Sequence, residues 1–262
     1  MLINFSFSSL TRCLPRCLRW IACAVLLALF PLNAFGASFE EAEKQEIEQI
    51  IENYLLENPE LMLRVFERLE QVQKDEETRR DLTALTIQRK GLERDGYSFV
   101  AGNPDGDITI IEFFDYRCTY CKRTIPEVDA VLAKDPNVRL VLKEFPILGP
   151  DSMFASRAAI ASMKQDKYKA FHDALFAHRT ALNKSAVLKI AAKSGINMAL
   201  LKADMEDPSI RKQIAKNIGI AESLRIEGTP TFIVGDTVLR GAVERDRLFA
   251  EIAAARQQCQ SC

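Results

Sequence analysis

The sequence Cys118-Thr119-Tyr120-Cys121 sits where the backbone period changes. Before it, Asp107 to Phe114 reads DITIIEFF, a β-branched and aromatic run introduced by the turn residues Asn103-Pro104-Asp105-Gly106. Such a run is a buried strand. After it, Ile125, Val128, Val131 and Leu132 recur at helical spacing, and a second apolar run, Val138 to Phe145, follows. Strand, helix and strand within about 40 residues make a βαβ unit. A CxxC pair alone also supplies half of a zinc site, but its place here favours redox chemistry. At a strand-to-helix junction the unpaired N–H groups and the helix dipole favour a negative sulfur. A thiol held as thiolate is both nucleophile and good leaving group. That role falls to Cys118, and Cys121, one helical turn on, is placed to resolve the mixed disulfide.

The remaining cysteines divide by location. The chain has 262 residues, seven cysteines and a formal charge of −1, with 48% hydrophobic and 27% charged residues. That is an ordinary globular composition, and without a basic block it carries no footprint for nucleic acid. Residues 1–36 hold Arg12, Arg16 and Arg19 with no acid, an apolar run from Trp20 to Leu32, and Ala34-Phe35-Gly36. This pattern reads as a secretory signal cleaved after Gly36, too short for the roughly 20 apolar residues of a membrane span. Cleavage removes Cys13, Cys17 and Cys23 and leaves two CxxC pairs, Cys118/Cys121 and Cys259/Cys262. Exported thiols are expected to be paired or redox-active.

Two amphipathic helices are expected next, forming an arm over residues 37–72. Ser38 and Glu41 have capping-box spacing, and Ile47, Ile50, Ile51, Tyr54 and Leu55 share a face,. Asn58-Pro59 restarts the helix, whose stripe is Met62, Val65, Phe66, Leu69 and Val72,. So short a segment closes no core of its own. Its stripe must pack either on the same chain or on other copies. The wholly polar QKDEETRRD at 73–81 reads as the start of a solvated helical stalk over 73–97,, which favours self-association through residues 38–72. A domain over 98–258 follows, with a helical stretch at about 151–225 and a return to strands at Thr231-Phe232-Ile233-Val234 and Thr237-Val238-Leu239. A last helix runs from about Glu244 to Gln257.

Glu227-Gly228-Thr229-Pro230-Thr231-Phe232 opens the later strand, and a proline is tolerated there in any case,. Together with IIEFFDYRCTYCKR and LKEFPILGPDS, however, GTPTFIVG resembles the DsbA-like branch of the thioredoxin superfamily. The resemblance implies an α/β thioredoxin fold with an inserted helical subdomain, preceded here by the N-terminal helical arm. It implies that Thr229 and Pro230, the latter after a cis bond, form a substrate loop facing Cys118, with Thr119 and Tyr120 beside it. It also implies that Glu112, six residues before Cys118, relays protons for the thiols. Strand alternation puts Glu112 on the face of Ile110 and Phe114; turned inward, its carboxyl pKa is raised by burial, and the alternative is an edge acid in solvent.

The arm ENYLLENPELMLRVFERLEQ is similar to that of the ScsC-type periplasmic proteins, some of which oligomerise and act as isomerases. Where that family more often has glycine before the tyrosine, this chain has Thr119. The expected function is periplasmic thiol:disulfide interchange on exported cysteine-containing clients through a redox-active Cys118–Cys121 pair. No cofactor is expected, and a membrane redox partner resets the pair. Isomerase or reductase activity is favoured if the chain is oligomeric. The alternatives are a monomeric DsbA-like oxidase and, from another class, a copper- or zinc-handling protein. Cys259 and Cys262 read as a local disulfide, a soft-metal tail or a cross-link to another thiol. His172 and His178, six apart, share no helix face and are taken as structural, with no metal site assigned.

Overall fold

The computed structural model describes residues 40–258. The signal segment, Ser38, Cys259 and Cys262 lie outside the described residues. Two units are distinguished, with the division after Glu67. In the first, helix α1 (Glu41–Glu57) starts from Glu40. A capping box is closed there by Glu40 and Glu43. Asn58 caps the end of α1, its backbone N–H donating to Tyr54 O, and the next helix, α2, begins at Pro59. No residue of α1 is buried. Ile47, Ile50, Ile51, Tyr54, Met62, Val65 and Phe66 all stay exposed.

The second unit begins within α2 (Pro59–Glu93). The polar stretch 73–81 is helical, as its composition implies, but the segment beyond it does not stand clear of the domain. Leu85 and Leu92, two helical turns apart, are buried against Ile111, Phe113, Val141, Phe145, Leu224 and Ile233. Arg240 pairs with both carboxylate oxygens of Asp81 at 3.0 Å, and the buried Lys143 donates to Gly91 O at 2.7 Å. The boundary expected at residue 98 is therefore not a packing boundary. Two leucines seven residues apart make too narrow a stripe to read as a core face.

The sheet has the order β1-β3-β2-β4-β5. Its strands are β1 (Phe99–Gly102), β2 (Ile108–Phe114), β3 (Val138–Glu144), β4 (Thr231–Val234) and β5 (Thr237–Arg240). β2 and β3 are parallel and joined through α3 (Thr119–Lys134), and the other pairs are antiparallel. Alternation along the strands sorts the core into two layers. Ile110, Phe114, Leu140, Leu142, Phe232 and Val234 join one cluster with α3 and the helical insertion. Ile111, Phe113, Val141 and Ile233 join the other, with α2. The insertion consists of α4 (Pro150–Ser162), α5 (Tyr168–Ala177), α6 (Lys184–Lys193), α7 (Met198–Asp204) and α8 (Pro208–Ser223), and α9 (Arg245–Gln258) ends the described chain.

Candidate active site

Cys118 is the N-cap of α3, and its sulfur accepts the backbone N–H of Cys121 at 3.3 Å. The same sulfur lies 3.2 Å from Thr229 O, to which the thiol donates. The Thr229–Pro230 bond is cis. Residues separated by more than a hundred positions thus meet at one sulfur. The hydrogen bond from the Cys121 side chain outweighs the cost of burial, and Thr229 and the helix-end N–H groups add to it. Together they lower the Cys118 pKa from 9.0 to about 6. Burial acts in the opposite sense on Cys121, which is wholly inaccessible. Desolvation, then Cys118 and the charge of Glu112, push its thiol far up. One helical turn therefore holds a thiolate beside a thiol that keeps its proton.

Glu112 is 6% exposed, on the strand face shared with Ile110 and Phe114. Burial, then Asp129 and Cys118, raise its carboxyl from 4.5 to about 8. A carboxyl that titrates near neutrality beside a buried thiol has the pKa of a proton acceptor and donor. Tyr120 is 54% exposed, with the Arg123 guanidinium 4.5 Å over its ring. Thr119 is exposed and Thr229 half-buried. All the residues singled out as site residues in residues 112–121 and 229–230 gather at this end of β2.

The sequence reading missed the groups that hold the loop still. Asp115, buried, accepts from Arg117 N at 2.8 Å, Leu148 N at 2.9 Å and Ser152 Oγ at 2.8 Å. Tyr116 is also buried, its hydroxyl donating to Glu144 Oε1 at 2.9 Å and lying 3.0 Å from His172 Nδ1. Tyr168 and Ser156 donate to the same carboxylate at 2.8 and 2.6 Å. Burial raises Glu144 to about 7 against these three donors, and lowers the His172 imidazole to about 3. His172 is thus a neutral core residue. Among the described residues, no group of three or more His, Cys, Asp or Glu side chains is disposed to hold a metal.

A thioredoxin sheet carrying a dithiol at a helix N-terminus, opposite a cis-proline loop, defines a protein of the thiol–disulfide class. The family model described as "DSBA-like thioredoxin domain" matches residues 109–253, and the chain belongs to that family. A second model, "Copper resistance protein ScsC N-terminal domain", matches residues 43–76. Among solved structures, the chain is similar to a thioredoxin-like oxidoreductase from Silicibacter pomeroyi DSS-3. The two are 44% identical over 64% of this chain and 98% of that one, with a TM-score of 0.64. It is also similar to Proteus mirabilis ScsC in a transitional conformation, at 27% identity over 85% and 99% of the two chains and a TM-score of 0.63. Among curated relatives, the Na(+)/H(+) antiporter NhaA 3 of Salinispora tropica is 27% identical over 158 residues, 60% of this chain. The chain spans only 24% of that antiporter's length.

Proposed function

We propose that this chain is a periplasmic thiol:disulfide interchange protein with Cys118 as nucleophile and Cys121 as resolving thiol. The observation that carries the reading is the opposed behaviour of the two sulfurs. At pH 7 a thiol with a pKa of about 6 is roughly nine-tenths thiolate,, while its neighbour holds its proton.

In the reductive direction the Cys118 thiolate attacks a client disulfide. A Cys118–client S–S bond forms, and one client sulfur leaves as thiolate. Glu112, in its ionised form, takes the proton of Cys121, whose thiolate attacks Cys118 Sγ. The intramolecular disulfide forms and the second client thiolate leaves, so the client is reduced and the protein oxidised. A dithiol on a membrane partner resets the pair; run backwards, the same steps oxidise a client dithiol. Isomerisation needs only the first attack and its reversal at another client sulfur. Thr229, Pro230, Thr119 and Tyr120 are the client-contacting residues in this reading.

We further propose that residues 38–72 join copies of the chain. Support comes from the continuous apolar face left uncovered on α1 and the first part of α2. Clustered dithiols favour isomerase or reductase work over simple oxidation. The test is a scrambled-disulfide refolding assay, with light scattering, on the full chain and on a variant lacking residues 40–67. That deletion leaves Leu85 and Leu92 in their places, whereas a start at Ser98 strips them from the core. Loss of both the oligomer and the reactivation is expected. A monomeric full chain that only oxidises reduced clients would identify a DsbA-like oxidase instead.

A further inference from the structure

Beside the cis-proline loop lies a cleft of about 380 Å³, lined on one wall by Glu77, Arg80 and Asp81 of α2. The opposite wall carries Arg225, Glu227 and residues 228–231 of the loop. Thr229, which accepts from Cys118, is thus shared between the reactive sulfur and the lining of the cleft.

The charges of the cleft are unequally committed. Arg240 is held by Asp81 at 3.0 Å, Glu77 at 3.1 Å and the Leu224 carbonyl at 3.2 Å. Arg80 and Arg225 are exposed and form no ion pair among the described residues. Arg225 also occupies an unusual backbone position. It follows the end of α8 with φ 51°, closed by Ile226 N to Ala221 O at 2.8 Å. Glycine takes that left-handed turn without steric cost and arginine does not. The turn itself does not explain the side chain.

The far flank of the thiol is cationic too. Arg117 and Arg123 are exposed beside it, Lys122 reaches His178 O at 2.6 Å, and Arg179 lies close enough to depress Lys122. In the cleft Glu77, Asp81 and Glu227 face Arg80, Arg225 and Arg240, but Glu77 and Asp81 are both drawn onto Arg240, which leaves Arg80 and Arg225 with Glu227 as the one uncommitted acid of the lining. The cleft therefore offers an incoming anion two unpaired guanidinium groups rather than a net charge, and short-range pairing with them sets which ligand is favoured,.

We infer that the cleft and its rim select clients with acidic residues next to the reacting cysteine, and that Arg80 of α2 and Arg225 receive the carboxylate. This rests on the thiol-interchange reading and names its substrate class. The test uses short peptides whose single cysteine carries an S-methylthio group, flanked by Asp, Asn or Lys. Their consumption by the reduced full chain is followed by acid quench and chromatography. At low ionic strength the Asp peptide should react about tenfold faster than the Asn peptide and the Lys peptide slower still. The spread should collapse at about 1 M salt. In the Arg80→Gln, Arg225→Gly double variant the Asp/Asn ratio should fall about threefold, Arg225→Asn should lower it as well, and Glu227→Gln should raise it. Equal Asp and Asn rates at low salt, or a ratio untouched in the double variant, overturn the inference. If no peptide reacts faster with the protein than with free cysteine, the thiol-interchange reading fails instead.

Discussion

The Glu112→Gln substitution is expected to stabilise the folded protein, and by an amount that depends on pH. The carboxyl is 6% exposed, and no hydrogen bond offsets the burial, Asp129 and Cys118 that raise it from 4.5 to about 8. An acid whose pKa is raised on folding keeps its proton in the folded chain, while the unfolded chain has already released it. Folding then takes up a proton, and stability falls as pH rises from 4.5 to about 8,. At about 1.4 kcal/mol per pKa unit, the side chain costs about 2 kcal/mol at pH 6, about 3 at pH 7 and about 4 at pH 8. Glutamine keeps the volume and cannot ionise. Urea unfolding of the dithiol forms at pH 4, 6, 7 and 8 should give curves that nearly coincide at pH 4 and separate by those amounts above it. A separation that stays constant with pH, or a glutamine variant less stable than the parent at pH 8, would refute the account of Glu112 as a buried acid held near neutrality.

Three further outcomes are expected. Thiolate absorbance near 240 nm should titrate with a midpoint of about 6 for Cys118; Cys121→Ala, which removes the leading hydrogen bond, should move the midpoint upward. Tyr116→Phe withdraws one of three hydroxyl donors from the buried Glu144 carboxylate and should cost about 1–3 kcal/mol in chemical denaturation. Lys143→Met leaves Asp95 without the ammonium 2.5 Å away, the two side chains being 0% and 5% exposed. It should cost about 3–5 kcal/mol, much of it recovered when Asp95→Asn is added.

What the chain discloses without coordinates is mostly what depends on near neighbours in sequence. The Cys118 environment follows from a strand end meeting a helix start, and the side chain of Glu112 follows from alternation along β2. The meeting of Cys118 with Thr229 does not follow from spacing, because the contact is made by the sheet pairing of β2 with β4; only the family resemblance pointed to it. Glu144 was illegible for the same reason. It reads as an acid at the end of a strand, and its donors come from the loop before Cys118 and from α4 and α5. β1 escaped notice because four residues at a sheet edge carry too little period to separate from a loop. The docking of α2 escaped because its buried stripe is only Leu85 and Leu92, and a narrow stripe becomes decisive only when an apolar sheet face waits for it.

β2 has ladder partners on both sides, β3 and β4, and core on both faces. Its amides exchange with solvent only when the whole domain opens, whereas the ends of short edge strands and exposed loops open at much lower free energy. Glu112 therefore belongs to the last part of the molecule to let go, and the wall of the cleft at residues 225–228 to an early one. As temperature rises, the fit to a client should slacken while the proton chemistry stays intact. A warmed protein would then lose its discrimination between clients before it loses its reaction with a small disulfide.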